Sequence, residues 1–313
     1  MRLSKPLLQL PIRFSADKLA AEVRALPRSA WMPHPTGFAG NEAVPLVSPQ
    51  GEMTDAFEGP MRPTEHLEQC PYIMSLMAEL NCVWGRSRLM ALAAGAEVPE
   101  HIDIHYYWRT HVRIHIPVIT NPGVLFTCNG ETVHMEAGEC WAFDSFALHN
   151  VQNQGSERRV HLVLDTVGGE RLWDLLEAAS AGTPPDPGTG NDASSEATSD
   201  PLTFEQINRP KVMSPWEIER HLIYILDHAP VDARSGPVAK RLDRFISAWR
   251  AAWARFGESD EGLPTYRALI EDMRGELKSL NAGNIRLSNN QGLDFTIDAL
   301  VLWNAVSPVP TRH

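Results

Sequence analysis

The chain has 313 residues, 43% of them hydrophobic, a size and composition typical of a folded main domain with a smaller companion. Its formal net charge of −11 argues against a nucleic acid or an anionic membrane surface as its partner. The sequence has no apolar run near the ~18 residues of a membrane span, no recognisable secretory signal and no CxxC pair among its four cysteines. We therefore expect a cytoplasmic protein with reduced, mostly buried thiols.

Residues 1–177 are predicted to form a mainly β domain. A short strand is expected over Leu7–Phe14, and helices are expected over Ala16–Leu26 and within Glu65–Leu80. An Asn129-Gly130 pair between two apolar runs predicts a tight hairpin. Further strands are predicted at Ser87–Ala93, Val112–Ile119, Val124–Cys128, Thr132–Met135, Cys140–Phe143 and Val160–Leu164. Short strands at this spacing indicate a sandwich or jelly roll rather than a parallel α/β sheet.

Residues 178–205 are rich in Gly, Pro, Ser, Thr and Asp, and this composition predicts a flexible linker. Residues 206–313 are predicted to form a small helical domain, with amphipathic helices at Ser214–Asp227, Val238–Phe256 and Tyr266–Leu280. Such a domain could provide a homodimer contact or recognise a protein partner, and the sequence does not separate these roles.

The histidines point to a metal site. Seven of the chain's twelve lie between Glu100 and Asp165. His101 and Asp103 are two positions apart, so in an extended segment their side chains project to the same side. If the fold brings His149 to the same point, two imidazoles and one carboxylate form a facial triad. That triad leaves coordination positions open and is typical of non-haem Fe(II) oxygenases.

Three further polar residues predict an anion-binding interior. Arg159 lies ten residues after His149 at the start of an apolar strand, where a guanidinium can bind a carboxylate through two hydrogen bonds. Arg113 and His115 alternate with apolar residues in another strand, so both face one side. Polar groups on one face of an apolar strand favour a ligand site over a packed core.

The same stretch resembles the aspartyl/asparaginyl β-hydroxylase family of Fe(II)/2-oxoglutarate-dependent oxygenases, and it also resembles bacterial proline hydroxylases. The matching motifs are HID at 101–103, RIHIPVITNP at 113–122, VHMEAGECWAFD at 133–144, HNVQN at 149–153 and RVHLVLDTVG at 159–168. The resemblance covers about residues 85–175. Some family members have Gly where this chain has Asp103, and this departure weakens the transfer of a peptide-aspartate substrate.

The resemblance implies a fold, a set of cofactors and a set of ligands. The fold is a double-stranded β-helix, a jelly-roll or cupin-like core with flanking helices. Fe(II) is expected on His101, Asp103 and His149, and O2 is the oxidant. The co-substrate 2-oxoglutarate is expected on Arg159, Arg113 and His115. Residues proposed to line the substrate site are Tyr106, Trp108, Asn129 and Arg88.

The implied reaction is hydroxylation of an unactivated C–H bond in an amino acid, or in an aspartyl/asparaginyl-type residue of a peptide or carrier-bound substrate. Two alternatives stay open. One is a non-oxidative cupin-like metalloenzyme, which has no need of the Arg159 and Arg113 pair. The other is a catalytically inactive binding module with a partner-recognising helical domain, which the intact His/Asp/His set disfavours.

Overall fold

The computed structural model describes residues 3–35, 37–184, 201–231, 233 and 236–307. The chain divides into two compact units. The first consists of Met1–Asp103 and Thr110–Asn208, and the second of Ile104–Arg109 and Arg209–His313. In the described ranges, no helix is long and apolar enough to cross a membrane. All four cysteines are free and buried.

The described strands, in chain order, are β1 (Leu7–Arg13), β2 (Met32–Pro33), β3 (Asn41–Pro49), β4 (Met61–Pro63), β5 (Val83–Leu92), β6 (Glu97–His101), β7 (Val112–Ile119), β8 (Val124–Cys128), β9 (Glu131–Val133), β10 (Glu139–Phe143), β11 (His149–Asn153), β12 (Arg159–Gly168) and β13 (Thr203–Phe204). The described α-helices are α1 (Ala16–Ala25), α2 (Glu65–Glu68), α3 (Pro71–Leu80), α4 (Tyr106–Thr110), α5 (Glu170–Ser180), α6 (Pro215–Asp227), α7 (Pro237–Phe256), α8 (Leu263–Ser279) and α9 (Leu293–Ile297).

The strands of the first unit form two sheets. The larger has the order β1-β10-β7-β12-β5-β3-β2, with β4 on β3 and β13 on β5, and the smaller has the order β6-β11-β8-β9. From β5 to β12 the chain passes back and forth between the two sheets, except that β8 and β9 form a hairpin within the smaller sheet. Adjacent strands of this stretch pair antiparallel within each sheet. This winding is the double-stranded β-helix, so the predicted jelly-roll fold is confirmed.

A cluster of buried side chains fills the space between the sheets. It contains residues of both sheets, Leu7, Leu92, Phe126, Cys128, Met135, Phe143 and Val151. The central strand β12 lies between β5 and β7 and is buried along nearly its whole length, as expected for a strand covered on both faces. Its polar residues therefore face the protein interior.

The hairpin predicted at Asn129-Gly130 is confirmed. Cys128 pairs with Glu131 across the turn from β8 to β9. Asn129 has φ 50° and Gly130 has φ 80°, so both central residues are left-handed, as a type I′ turn requires. Asn and Gly are the residues that tolerate this conformation best.

The predicted linker, residues 178–205, lies partly outside the described residues. Its described ends belong to α5, which continues to Ser180, and to β13, which pairs parallel with β5. Both described ends of this segment therefore contain regular secondary structure, which its composition does not indicate.

The second unit contains α6 to α9. Ser214 caps α6 by accepting a hydrogen bond from the Glu217 backbone N–H, as its position before Pro215 predicts. Trp249 on α7 is fully buried, and its indole N–H donates to the Met213 carbonyl at 2.9 Å. Tyr266 on α8 stacks against it. The aromatic residues of α7 and α8 therefore build the core of this unit.

Candidate active site

The first unit brings together the three side chains proposed as metal ligands. The ligand atoms of His101, Asp103 and His149 all lie within 4.8 Å of one another. His101 ends β6 and His149 begins β11, and the register of these paired strands places the two histidines opposite each other. Nε2 of His101 is 4.0 Å from Asp103 Oδ1, and Nε2 of His149 is 3.9 Å from Asp103 Oδ2. The three groups form a compact donor set.

Backbone carbonyls fix both imidazoles for metal binding. Nδ1 of His101 lies 2.8 Å from the Pro99 carbonyl oxygen, and Nδ1 of His149 lies 2.9 Å from that of Ala147. A carbonyl oxygen can only accept, so each Nδ1 carries the proton and each Nε2 presents a lone pair. Burial lowers the pKa of His149 to about 4, so its ring is neutral at pH 7. This is the protonation state that a metal ligand needs.

The cluster has one buried and one open side. His149 exposes 5% of its side chain and Asp103 exposes 11%, whereas His101 exposes 42%. Solvent and small molecules can therefore reach the cluster past His101. The rings of Phe126 and Phe143 pack against His149 from the interior.

Arg113 is held between two carboxylates. Its Nη1 donates to Asp103 Oδ2 at 2.7 Å, while Nε and Nη2 donate to Asp165 Oδ1 and Oδ2 at 2.8 and 3.1 Å. Burial alone would raise the pKa of Asp165, but the Arg113 ion pair and its hydrogen bonds outweigh burial and hold that pKa at about 2. Three nitrogen atoms of Arg113 thus donate to side chains of the chain itself, and its predicted contact with a co-substrate stays a prediction. Arg113 thereby orients Asp103, the carboxylate of the donor set.

Arg159 has quite different surroundings. It is buried at the start of β12, and its Nη1 donates to the Met90 carbonyl at 3.2 Å. Within the described residues, no carboxylate pairs with it and its Nε has no hydrogen-bond partner. Burial lowers the pKa of Arg159 to about 10, so the side chain is still a cation at pH 7.

Two buried histidines lie beside Arg159. His115 on β7 and His161 on β12 meet edge to face, with ring centroids 5.8 Å apart. In the described ranges, both ring nitrogens of His161 and Nδ1 of His115 have no hydrogen-bond partner. Burial, with the Arg159 charge as the next cause, lowers the pKa of both rings well below 6.5. Arg159, His115 and His161 form a buried polar cluster with nitrogen atoms that lack partners among the described residues, and we call this cluster the Arg159 pocket.

The proposed substrate residues lie in different places. Arg88 is buried on β5 and forms an ion pair with Asp55. Asn129 is exposed at the hairpin turn, where its left-handed backbone accounts for the residue type. Tyr106 and Trp108 belong to the second unit, in which the Tyr106 hydroxyl donates to Glu217 at 2.7 Å. Their roles toward a substrate stay predictions.

Sequence reasoning missed several charged or polar residues of this interior. Asp165, Arg86, Asp55 and His161 were not identified as residues of the site. The sequence could have indicated two of these residues. His161 and Asp165 are two and six positions after Arg159 in β12, so their side chains lie on the same face of the strand as Arg159. Asp55 lies in a loop, and no periodicity connects it to the site.

Two histidines and one carboxylate lie close together in a double-stranded β-helix. This combination is typical of one class of protein, the jelly-roll proteins with a metal-binding triad. Within this class, residues 52–168 match the model of the family described as Aspartyl/Asparaginyl beta-hydroxylase. The family resemblance predicted from the motifs is thereby confirmed: residues 52–168 are similar to the aspartyl/asparaginyl β-hydroxylase family.

One protein with a similar sequence is a proline hydroxylase. The chain is 26% identical over 156 residues to L-proline cis-3-hydroxylase 1 from Streptomyces sp, an alignment that covers 47% of this chain and 53% of that protein. The chain therefore spans about half the length of this relative.

Solved structures with a similar fold include an oxidoreductase of the 2OG-Fe(II) oxygenase family from Burkholderia pseudomallei. It is 13% identical, with a TM-score of 0.40, and the match covers 52% of this chain and 86% of that one. A prolyl-4-hydroxylase from Pseudomonas putida is 15% identical, with a TM-score of 0.37, and the match covers 52% of this chain and 92% of that one.

Proposed function

We propose that this protein is an Fe(II)- and 2-oxoglutarate-dependent dioxygenase that hydroxylates an unactivated C–H bond of an amino acid, or of an aspartyl/asparaginyl-type residue in a peptide or carrier-bound substrate. One observation carries the proposal. A two-histidine, one-carboxylate donor set lies in the same barrel interior as a buried arginine without a carboxylate partner among the described residues.

The donor set fits iron. Two neutral imidazoles whose Nδ1 atoms are tied to carbonyls, and one carboxylate oriented by Arg113, are the ligands of a facial non-haem Fe(II) site. A structural zinc site would have four protein ligands. The described residues offer three at this point, which leaves positions for a co-substrate and O2.

The Arg159 pocket fits 2-oxoglutarate. A dicarboxylate needs a cation for the carboxylate that does not bind the metal, and Arg159 offers a guanidinium whose Nε has no partner in the described part of the chain. The neighbouring histidine nitrogens add neutral donors. A buried cation without an anion is costly, so a bound carboxylate would compensate for its burial.

When bound, iron and 2-oxoglutarate supply the oxidation: O2 is reduced as 2-oxoglutarate is decarboxylated to succinate, and a hydroxyl group is delivered to the substrate carbon. The residues of the chain have supporting tasks. Arg113 and Asp165 keep Asp103 in place, Arg159 holds the co-substrate, and Phe126 and Phe143 exclude water from the inner side of His149.

The test is anaerobic titration of the purified chain with Fe(II) and then with 2-oxoglutarate. We expect one equivalent of iron to bind and a weak visible charge-transfer band to appear with the co-substrate. His149→Ala should abolish iron binding, and Arg159→Gln should keep iron but need far more 2-oxoglutarate to form the band. A folded wild-type protein that binds iron but forms no band would refute the proposal and favour a non-oxidative metalloenzyme.

Turnover then has to be shown with a substrate. L-Proline is the first compound to try, since the named relative is an L-proline hydroxylase. Free amino acids and short aspartyl or asparaginyl peptides follow. Formation of succinate that depends on the added compound identifies the substrate class.

A further inference from the structure

The exposed side of α6 in the second unit carries two large apolar side chains. Trp216 is 62% exposed and Ile223 is 53% exposed. The two residues are seven positions apart on the helix, so they lie on the same side of it, roughly 10 Å apart along its axis. Large apolar side chains that lie together in water often mark a surface that binds a partner.

The opposite side of α6 packs into the core of the second unit. Ile218, Leu222 and Ile225 are almost completely buried there. The Ser214 hydroxyl accepts a hydrogen bond from the Glu217 backbone N–H at 3.2 Å, and this cap fixes the first helical turn. The exposure of Trp216, which belongs to that turn, is therefore not the result of a frayed helix end.

Neighbouring elements contact α6 on both sides of its exposed face. On one side Glu219 forms an ion pair with Arg250 of α7 at 2.6 Å. On the other side the Arg109 guanidinium lies over the Tyr224 ring. At 3.6 residues per turn, four exposed residues lie between these contacts. We call them the α6 strip, which consists of Trp216, Arg220, Ile223 and Asp227.

The order of charges in the α6 strip fits a second copy of the strip that runs in the opposite direction. Ile223 lies close to the midpoint between Arg220 and Asp227. A two-fold axis beside Ile223 therefore places each Arg220 opposite the partner's Asp227 and brings the two Ile223 side chains together. A parallel pair would instead place like charges side by side. A carboxylate has two oxygen atoms, so Asp227 can accept from the partner's Arg220 in addition to a donor of its own chain.

The ends of the helix fit the same arrangement. Trp216 is at the N-terminal end of α6, roughly 11 Å from the two-fold axis, and it would lie just beyond the C-terminal end of the partner's helix. Val231, which follows that end in the chain, is 78% exposed and offers an apolar contact. Tryptophan and arginine are also the residue types that contribute most often to binding at protein interfaces.

We propose that the α6 strip is a homodimer contact, in which two copies of α6 pack antiparallel about a two-fold axis beside Ile223. The inference goes beyond the proposed function, because the metal donor set and the Arg159 pocket take no part in it. It selects a second copy of this chain over the protein partner that the sequence left open. A single pair of helices is a small interface, so we expect reversible association with a Kd of roughly 10–100 µM.

Sedimentation velocity of the full chain, kept in a chelator to remove metals, measures this association. Between about 1 and 500 µM protein, we expect the sedimentation coefficient to rise from that of a monomer to that of a dimer. Ile223→Glu brings two like charges together at the two-fold axis, so its Kd should be at least about 10-fold higher than that of wild type. Phe295→Glu is the matched control, since Phe295 is 57% exposed on α9 outside the α6 strip, and it should associate like wild type.

An exchange of charges tests the antiparallel arrangement. Arg220→Asp places carboxylates opposite each other in the dimer, and Asp227→Arg places guanidinium groups opposite each other, so each variant alone should associate at least about 10-fold more weakly than wild type. In a mixed dimer of the two variants, both opposing pairs again have opposite charges. We therefore expect the mixture to recover the affinity of wild type.

A further variant separates this pairing from a general attraction between proteins of different net charge. Arg267 is exposed on α8, outside the α6 strip, and Arg267→Asp changes the net charge as Arg220→Asp does. With a fluorescent label on Asp227→Arg, so that only its dimers are recorded, Arg220→Asp should bind it at least about 10-fold more tightly than Arg267→Asp does.

The possible outcomes decide the proposal. Wild type that stays monomeric up to about 500 µM would overturn it. A dimer that Ile223→Glu leaves unchanged would lie elsewhere on the chain, and a mixture that does not recover would exclude the antiparallel pairing. Circular dichroism melting checks that each variant is folded, and Ile223→Ser takes the place of Ile223→Glu if that variant does not fold. Because iron and 2-oxoglutarate are absent, none of these results depends on the oxygenase activity.

Discussion

Two buried arginines on neighbouring strands of one sheet have opposite surroundings. Arg113 on β7 donates through three nitrogen atoms to the carboxylates of Asp103 and Asp165. Arg159 on β12 donates to a backbone carbonyl, and among the described residues it has no carboxylate partner. Arg159 exposes 4% of its surface, and the Arg113 side chain exposes 10%.

This difference in partners indicates two different roles for a buried arginine. A paired arginine fixes the positions of its partners, and here one partner belongs to the metal donor set. Arg159 donates a hydrogen bond to the Met90 carbonyl but has no carboxylate partner among the described residues, so a bound anion would compensate for the burial of its charge. We therefore expect the Arg113 region to control metal affinity and the Arg159 pocket to control co-substrate affinity.

The largest effect is expected from removing the charge of Arg159. Arg159→Gln keeps a polar side chain but deletes the charge, so we expect affinity for 2-oxoglutarate to fall by about 100-fold or more while iron affinity stays within about twofold. Equilibrium titration of the visible band measures both.

The matched control is the adjacent residue. Arg158 is partly exposed, pairs with Glu42 and stacks on Trp31. Arg158→Gln should leave both affinities unchanged. Equal losses in the two variants would show that charge near this strand end, rather than the Arg159 pocket, sets the affinity.

The Arg113 region is tested through its other carboxylate. Asp165→Asn leaves the Arg113 guanidinium incompletely neutralised in the interior, and we expect the free energy of unfolding to fall by about 3 kcal/mol. With Arg113 no longer held, Asp103 is less well positioned and iron affinity should fall by about 10-fold. Urea unfolding and iron titration measure the two effects.

Asp174→Asn on α5 is a control for the chemical change, since Asp174 is exposed. It should alter neither quantity. If Asp165→Asn is destabilised but binds iron like wild type, the Asp165–Arg113 pair is structural and has no part in orienting Asp103.

A smaller effect is expected at His161, and it depends on pH. The pKa of His161 is well below 6.5 in the folded chain because of burial, so the unfolded chain binds the proton first as pH falls. The contribution of neutral His161 to stability is therefore complete above pH 6.5 and declines below it, by up to about 1.4 kcal/mol per pH unit. His161→Phe should remove this part of the pH slope in the metal-free protein.

The same variant, His161→Phe, also tests whether His161 contributes to the Arg159 pocket. Phenylalanine removes two ring nitrogens that lack partners in the described structure, so at pH 8 we expect the apoprotein to be as stable as wild type or more stable. Affinity for 2-oxoglutarate should nevertheless fall about 10-fold if His161 contributes a hydrogen bond to the pocket. An unchanged affinity would remove His161 from the pocket.

The fold could be predicted largely from local sequence. Strand bounds such as Val112–Ile119 and Val124–Cys128 agree with the structure because each run ends at residues that favour turns. The Asn129-Gly130 hairpin was predictable for the same reason. The metal donor set was predictable in part, because the i, i+2 spacing of His101 and Asp103 in an extended segment is a local property.

What could not be predicted depends on contacts between distant residues. The pairing of Arg113 with Asp103 and Asp165 spans 10 and 52 positions, and no local pattern reports whether a guanidinium is already engaged. Asp55 reaches Arg88 across 33 positions from an irregular loop. The helix α4 was not predicted either, since its five residues are too few to show a helical period.

The segment Ile104–Arg109 packs against residues that are synthesised much later than the segment itself. Its contacts place it in the second unit: Tyr106 donates to Glu217, 111 positions later, and the Arg109 guanidinium lies over the Tyr224 ring. On a ribosome that adds roughly 5–20 residues per second, these partners are made about 6–22 s after the segment. The residue just before the segment is Asp103. We expect the nascent barrel to finish its strands while the segment that follows Asp103 still lacks these partners, which are made only when α6 is synthesised.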